Sequence, residues 1–170
     1  MTVELICVGT ELLLGNIVNT NAAFLAEQCA ALGLSCYYQT VVGDNPERLL
    51  QTVRTAFSRS DIILLSGGLG PTKDDLTKET VAEVFGAALL EDTASREMIA
   101  AYFQTRGKIP TETNWKQALV PEGGRAVANR NGTAPGIIME KEGRHVILLP
   151  GPPDELKPMF TEEAAKSGKF

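Results

Sequence analysis

The chain has 170 residues, 44% of them hydrophobic, 22% charged and 6% aromatic, which suits one domain with a full core and excludes a tail or linker. Its 16 basic and 21 acidic residues leave a formal net charge of -5, a field that repels nucleic acid and anionic membranes, so neither is an expected partner. No run approaches the roughly 18 apolar residues of a membrane span, and strand-like sequence begins without a charged leader, predicting a cytoplasmic protein.

Residues 3–8 form an apolar run broken only by Glu4 and closed by Gly9, the pattern of a strand covered on both faces. Residues 9–19 read as a turn-rich loop. From Asn21, the positions Leu25, Cys29 and Leu32 recur at helical spacing and Gly33 stands at a left-handed C-cap, predicting a helix. Residues 35–42 predict a second strand. Gly43-Asp44-Asn45-Pro46 then opens a helix carrying Leu49, Leu50, Val53 and Phe57, with Asp44 as a candidate N-cap. Residues 61–65 predict a short strand, 66–72 a glycine-rich loop, and 76–85 a helix with Val81, Val84 and Phe85 on one side. This βαβαβα order argues for a parallel sheet with helices on both faces, and places binding at the carboxyl ends of the strands.

A further helix is expected over 94–106, with Met98, Ile99, Tyr102 and Phe103 inward, and a short one over 114–119. Beyond Gly124 the texture changes to short strands at 125–128, 136–140 and 145–149, with a hairpin turn at 141–144, so the sheet is expected to be mixed. A last helix starts near Asp154 and carries Leu156, Met159 and Phe160. No linker or repeat divides residues 1–170, which read as one α/β domain. Cys7, Cys29 and Cys36 form no C-x-x-C pair and sit in apolar stretches, as reduced, buried thiols do. His145 is the only histidine, which leaves nothing for a His-rich zinc site or a Ser-His relay. It is expected at a surface or sheet edge, and Trp115 in core or lid packing.

The strongest chemical signal is Ser66-Gly67-Gly68-Leu69-Gly70-Pro71-Thr72-Lys73-Asp74-Asp75-Leu76-Thr77, between a buried strand and a helix. Its glycines let backbone N–H groups approach an anion, and the helix start adds about half a positive charge, so phosphate or pyrophosphate is the natural guest. The order of glycines fits neither the dinucleotide fingerprint nor the P-loop. A tight turn with Asp74 capping the helix accounts for the spacing equally well. Two adjacent carboxylates, Asp74 and Asp75, tip the reading towards a divalent cation shared with the phosphate, because a cap needs only one of them. Asp44 and the pair Thr10-Glu11 fall on the same rim, followed by Asn19-Thr20-Asn21. A carboxylate among amides and hydroxyls suits a sugar or a hard metal, although Asn21 equally fits a helix cap.

Read together, Gly9-Thr10-Glu11-Leu12-Leu13-x-Gly15, Asn19-Thr20-Asn21, residues 66–77, Asn131-Gly132-Thr133-Ala134-Pro135-Gly136 and Leu149-Pro150-Gly151-Pro152-Pro153-x-Glu155 resemble the N-terminal domain of the competence/damage-inducible protein A (CinA) family. That domain belongs to the molybdopterin-binding superfamily with MoaB and MogA. The resemblance implies a three-layer α/β/α sandwich with a mostly parallel sheet. It implies divalent-metal-dependent hydrolysis of ADP-ribose to AMP and ribose 5-phosphate, or alternatively molybdopterin binding or adenylylation, or a non-catalytic nucleotide-sensing module. The two important aspartates of the MogA-like branch match Asp44 and Asp75. It also implies a dimer or trimer, and absence here of the C-terminal deamidase domain that many relatives carry.

On the hydrolytic reading, Gly67, Gly68 and Gly70 cradle phosphate beside Pro71, with Ser66 and Thr72 as hydroxyl donors. Asp75 and Asp44 are the catalytic pair. Asp75, Asp74 and Asp44 hold Mg²⁺, Mn²⁺ or Co²⁺, and Glu11 supports them with Thr10 and Asn19 nearby. Asn131, Gly132, Thr133, Pro150, Gly151 and Pro152 receive the rest of an adenosine nucleotide or a pterin.

Overall fold

The computed structural model describes residues 1–167, and its central sheet grows from the apolar runs. Strands β1 (Thr2–Val8) and β2 (Ser35–Val42) pair in parallel, Thr2 opposite Ser35 and Val8 opposite Val42, with one register shift after Val3. Strand β3 (Ile62–Ser66) lies on the other side of β1, also parallel. Two short strands, β4 (Leu89–Glu91) and β5 (Leu119–Pro121), form a separate antiparallel pair. Strands β6 (Arg125–Val127), β7 (Gly136–Lys141) and β8 (Arg144–Leu149) complete the main sheet in the order β2-β1-β3-β8-β7-β6. β8 is parallel to β3, whereas β6 and β7 run antiparallel to their neighbours, so the sheet is mixed, as the change of texture beyond Gly124 anticipates.

Side chains alternate across the pleat, and the two faces collect separate cores. Ile62 and Leu64 join Val3, Leu5, Leu25, Cys29, Leu156 and Phe160 on one face. There they meet helices α2 (Thr20–Ala31) and α7 (Pro153–Ser167). Ile63 and Leu65 join Ile6, Leu49, Val53, Val81 and Phe85 on the other, under α3 (Pro46–Arg59) and α4 (Thr77–Phe85). The result is three α/β/α layers. The remaining helices are α1 (Thr10–Leu13), inside the loop expected over 9–19, then α5 (Thr93–Gln104) and α6 (Glu112–Trp115) in the excursion closed by β4 and β5.

Several local expectations need correction. The segment 114–119 is not one short helix: α6 passes into a 3₁₀ turn over Lys116–Ala118 and then into β5. His145 lies on β8, an interior strand between β3 and β7, and is not at an edge. Cys7 and Cys29 are buried, but Cys36 is only half-buried. Glu4 is not a mere interruption: it is 1% exposed and fully engaged, with Arg59 Nε and Nη2 at 3.0 and 2.7 Å and Ser60 Oγ at 3.0 Å. That network satisfies a charge that would otherwise be costly to bury.

Because β1, β2, β3 and β8 are parallel, their carboxyl ends open onto one rim. The chain leaves β1 for β2 on one side and later enters β3 on the other, so the crevice between β1 and β3 is a topological switch point, where open α/β sheets hold ligands.

Candidate functional site

Backbone hydrogen bonds weld this rim together. Gly9 N–H donates to the Val42 carbonyl at 2.9 Å, and Gly67 N–H to the Leu149 carbonyl at 3.0 Å. Gly67 and Gly68 have φ of 96° and 68°, backbone in which the glycine turn folds back on itself, and Thr77 Oγ1 fastens it from below by donating to the Gly67 carbonyl at 2.8 Å. The amides of Gly68, Leu69 and Gly70 find no acceptor among the described residues. Gly67 is therefore not an available phosphate donor, and Leu69 replaces it in the run of three successive free N–H groups. Successive free N–H groups in a turn are one way in which backbone binds anions.

These residues line a cleft of about 520 Å³ that also receives Glu11, Asp44, Pro71, Thr72, Asp74, Asp75, Thr133, Pro150, Gly151, Pro152 and Glu155. A volume of this order accommodates a nucleotide-sized molecule. Asp44 does not cap α3. Asn45 does so, its side chain accepting from the Arg48 amide at 3.0 Å, which frees Asp44 to accept from Thr10 N and Oγ1 at 3.0 and 2.8 Å. Asp74 does not cap α4 either, since that helix starts without a side-chain cap. Asp75 instead closes the glycine turn by accepting from Thr72 N and Oγ1 at 2.9 and 2.5 Å. The Thr72 hydroxyl hydrogen, expected for phosphate, is thus committed to Asp75. In both aspartates Oδ2 is occupied and Oδ1 has no partner among the described residues.

Other expected residues stand behind the cleft. Thr10 holds Asp44 from outside it. Asn19 caps α2 by accepting from the Ala22 amide at 3.1 Å, a role considered for Asn21. Asn21 Nδ2 instead bridges Ser66 Oγ and the Gly151 carbonyl at 2.9 and 2.7 Å, tying α2 to β3 and the loop after β8. Ser66 and Asn19 face an adjoining groove with Ile17, Val18 and Pro153. Asn131 Nδ2 donates to the Asp154 carbonyl at 2.7 Å. Gly132 packs so closely on Glu155 that a side chain there would collide with its carboxylate.

Two cleft residues escape sequence reasoning. Glu155 belongs to the proline-rich motif, but its spacing alone points to no role. It accepts from Asn129 Nδ2 at 2.7 Å, and burial pushes its carboxyl pKa up, with the Asn129 hydrogen bond pulling the other way. Gln117, 3% exposed, reaches the cleft from the 3₁₀ turn. In sequence it is one polar residue within the short segment 114–119, and nothing in its spacing distinguishes it from a surface position. Trp115, beside it, is half-buried under the Arg96 guanidinium, 4.1 Å from the ring centroid.

Among the described residues, the lining carries the carboxylates of Glu11, Asp44, Asp74, Asp75 and Glu155 and no lysine or arginine. Lys116 serves the loop from behind: Nζ donates to the carbonyls of Thr72 and Asp75 at 3.0 and 2.5 Å and stands 3.4 Å from Glu79. Among the described residues no three His, Cys, Asp or Glu side chains converge as a ready-made metal cage, and no helix is long and apolar enough to cross a membrane.

A family profile described as "Probable molybdopterin binding domain" matches residues 4–167. "Putative competence-damage inducible protein" of Thermoanaerobacter sp. (strain X514) is 55% identical over 159 residues, 94% of this chain and 38% of that protein. The protein of the same description from Bacillus subtilis (strain 168) is 53% identical over 161 residues, 95% of this chain and 39% of its own length. The chain thus spans well under half of these relatives. Among solved structures, CinA of Thermoplasma acidophilum, described as of unknown function, superposes with a TM-score of 0.91 at 35% identity, covering 100% of both chains. The molybdopterin biosynthesis enzyme MoaB of Thermus thermophilus superposes with a TM-score of 0.60 at 18% identity, covering 99% of this chain and 97% of that one, a likeness of fold alone.

Proposed function

Because the chain belongs to the molybdopterin-binding domain family and is a CinA-type member of it, we propose that its cleft binds a phosphate-bearing pterin or adenosine nucleotide. The observation that carries this reading is the run of free amides on Gly68, Leu69 and Gly70 at the switch point of the sheet, which suits phosphate oxygens as acceptors. The loops at Thr133 and Pro150 to Pro152 would receive the organic part. Isothermal titration calorimetry with AMP and with a molybdopterin-type pterin tests the reading: saturable binding of either supports it, and binding of neither contradicts it.

The five lining carboxylates favour a second reading, in which the bound phosphoanhydride is also cleaved, as in hydrolysis of ADP-ribose to AMP and ribose 5-phosphate. Acidic walls repel a bare polyphosphate unless a cation lies between them. The residues fit a divalent ion that takes some of its ligands from the substrate: Asp75 and Asp44 each keep Oδ1 unpartnered, Asp74 lines the same cleft, and Mg²⁺ is commonly held by one or two carboxylates plus phosphate oxygens. Such an ion, Mg²⁺, Mn²⁺ or Co²⁺, would supply Lewis-acid polarisation of a phosphoryl oxygen. The protein's own part is to fix the phosphate on the glycine-turn amides and to hold both carboxylates in place through Thr10 and Thr72. Metal-dependent AMP release from ADP-ribose, abolished in Asp75→Asn, supports hydrolysis; tight binding without turnover leaves the domain a binding or sensing module.

A further inference from the structure

Gln117 reaches from the 3₁₀ turn Lys116–Ala118 to the glycine turn and is 3% exposed. Its Nε2 donates to the Leu69 carbonyl at 3.3 Å. Its Oε1 is buried and has no donor among the described residues, although Gln117 lines the cleft. The opposite amide orientation would set Oε1 against the Leu69 carbonyl, acceptor to acceptor, so the hydrogen bond itself fixes which atom is left over. The placement is built: the neighbouring Lys116 anchors the turn to the carbonyls of Thr72 and Asp75.

We propose that Gln117 is a specificity-determining residue of the cleft, whose side-chain oxygen accepts a hydroxyl hydrogen from the sugar that carries the bound phosphate. This rests on the reading that the cleft binds a phosphate-bearing ligand. An ionised phosphate offers only acceptors, so it cannot satisfy Oε1; the partner must be an O–H or N–H of the organic part. The other end of the same amide is bonded to Leu69, between Gly68 and Gly70, so the donor belongs to atoms close to the phosphate and not to a distant base. Asp75 and Glu155, which line the same cleft, offer carboxylate acceptors too. A polyol phosphate complements this lining, and an isostere without the hydroxyl leaves a buried acceptor unpaired, which is how polar sites reject such analogues.

The test is calorimetry on the full chain with Mg²⁺, using ribose 5-phosphate and inorganic pyrophosphate, which has no hydroxyl donor of this kind. Gln117→Met is expected to weaken ribose 5-phosphate about tenfold and leave pyrophosphate unchanged. Equal loss on both probes would reduce Gln117 to a prop of the loop and overturn the proposal, as would no loss on either. Since the variant also strips the Leu69 carbonyl of its partner, the native chain is titrated in parallel with the monodeoxy analogues of ribose 5-phosphate. One of them must bind about tenfold more weakly, and equal affinity for all overturns the proposal. A native chain that binds neither probe overturns the cleft reading itself, a result distinct from any of these.

Discussion

Thr72 gives both its amide and its hydroxyl to a single oxygen, Asp75 Oδ2, at 2.9 and 2.5 Å, so the second aspartate of the pair is the clasp of the glycine turn. Its charge and its hydrogen bonding can be separated. Asp75→Asn keeps an acceptor oxygen, and its stability is expected to stay within about 1 kcal/mol of the native chain, while the Mg²⁺ dependence of pyrophosphate binding disappears. Asp75→Ala loses the clasp as well and is expected to cost about 1–3 kcal/mol. Thermal denaturation and calorimetry with and without Mg²⁺ check both.

The rim tolerates no side chain at Gly67. Its φ is 96°, and a methyl there would run into the Val8 carbonyl oxygen at the end of β1. Gly67→Ala is expected to destabilise the fold by about 2 kcal/mol or more and to abolish phosphate binding. Chemical denaturation measures the first effect and titration with pyrophosphate the second.

Asp44 joins the loops after β1 and β2 through Thr10 N and Oγ1. Asp44→Ala is expected to cost about 1 kcal/mol and to speed amide exchange at Thr10 while leaving the core strands protected. Hydrogen exchange resolved by residue is the check.

Lys78 is 3% exposed on α4, and burial pushes its pKa down to about 8, with Glu79 opposing the shift. The unfolded chain therefore holds more protons than the folded one between about pH 8 and the ordinary lysine range near 10.4, and in that window stability rises with pH. Lys78→Met lacks this gain. The melting temperature of the variant relative to the native chain is expected to be highest near pH 7 and to fall steadily by pH 10. A pH-independent difference would show that burying the Lys78 charge costs nothing.

Much of the fold is legible in the sequence because each apolar run is covered on both faces. Residues 62–65 are all buried, and alternate ones serve opposite cores. The glycine loop, Asp44 and Glu11 share a rim because parallel strands open in one direction, which the βαβ order already implies. What the sequence conceals is the distribution of hydrogen bonds. Asp44 and Asp74 both resemble helix caps, yet Asn45 caps α3 and no side chain caps α4. Strands β4 and β5 have three residues each, too few for periodicity to register. Gln117 becomes visible only when the excursion between α4 and β6 folds back over the glycine turn.

On the proposed function, the amides of Gly68, Leu69 and Gly70 receive the phosphate of the ligand. The most direct measurement is an amide NMR titration of the full chain with inorganic pyrophosphate in the presence of Mg²⁺. Saturable shifts are expected, concentrated at Gly68, Leu69 and Gly70, with smaller ones at Thr72 and Gly151. Absence of shifts, or shifts centred instead on the arginine-bearing surface at Arg48 and Arg59 between α3 and β2, would contradict it.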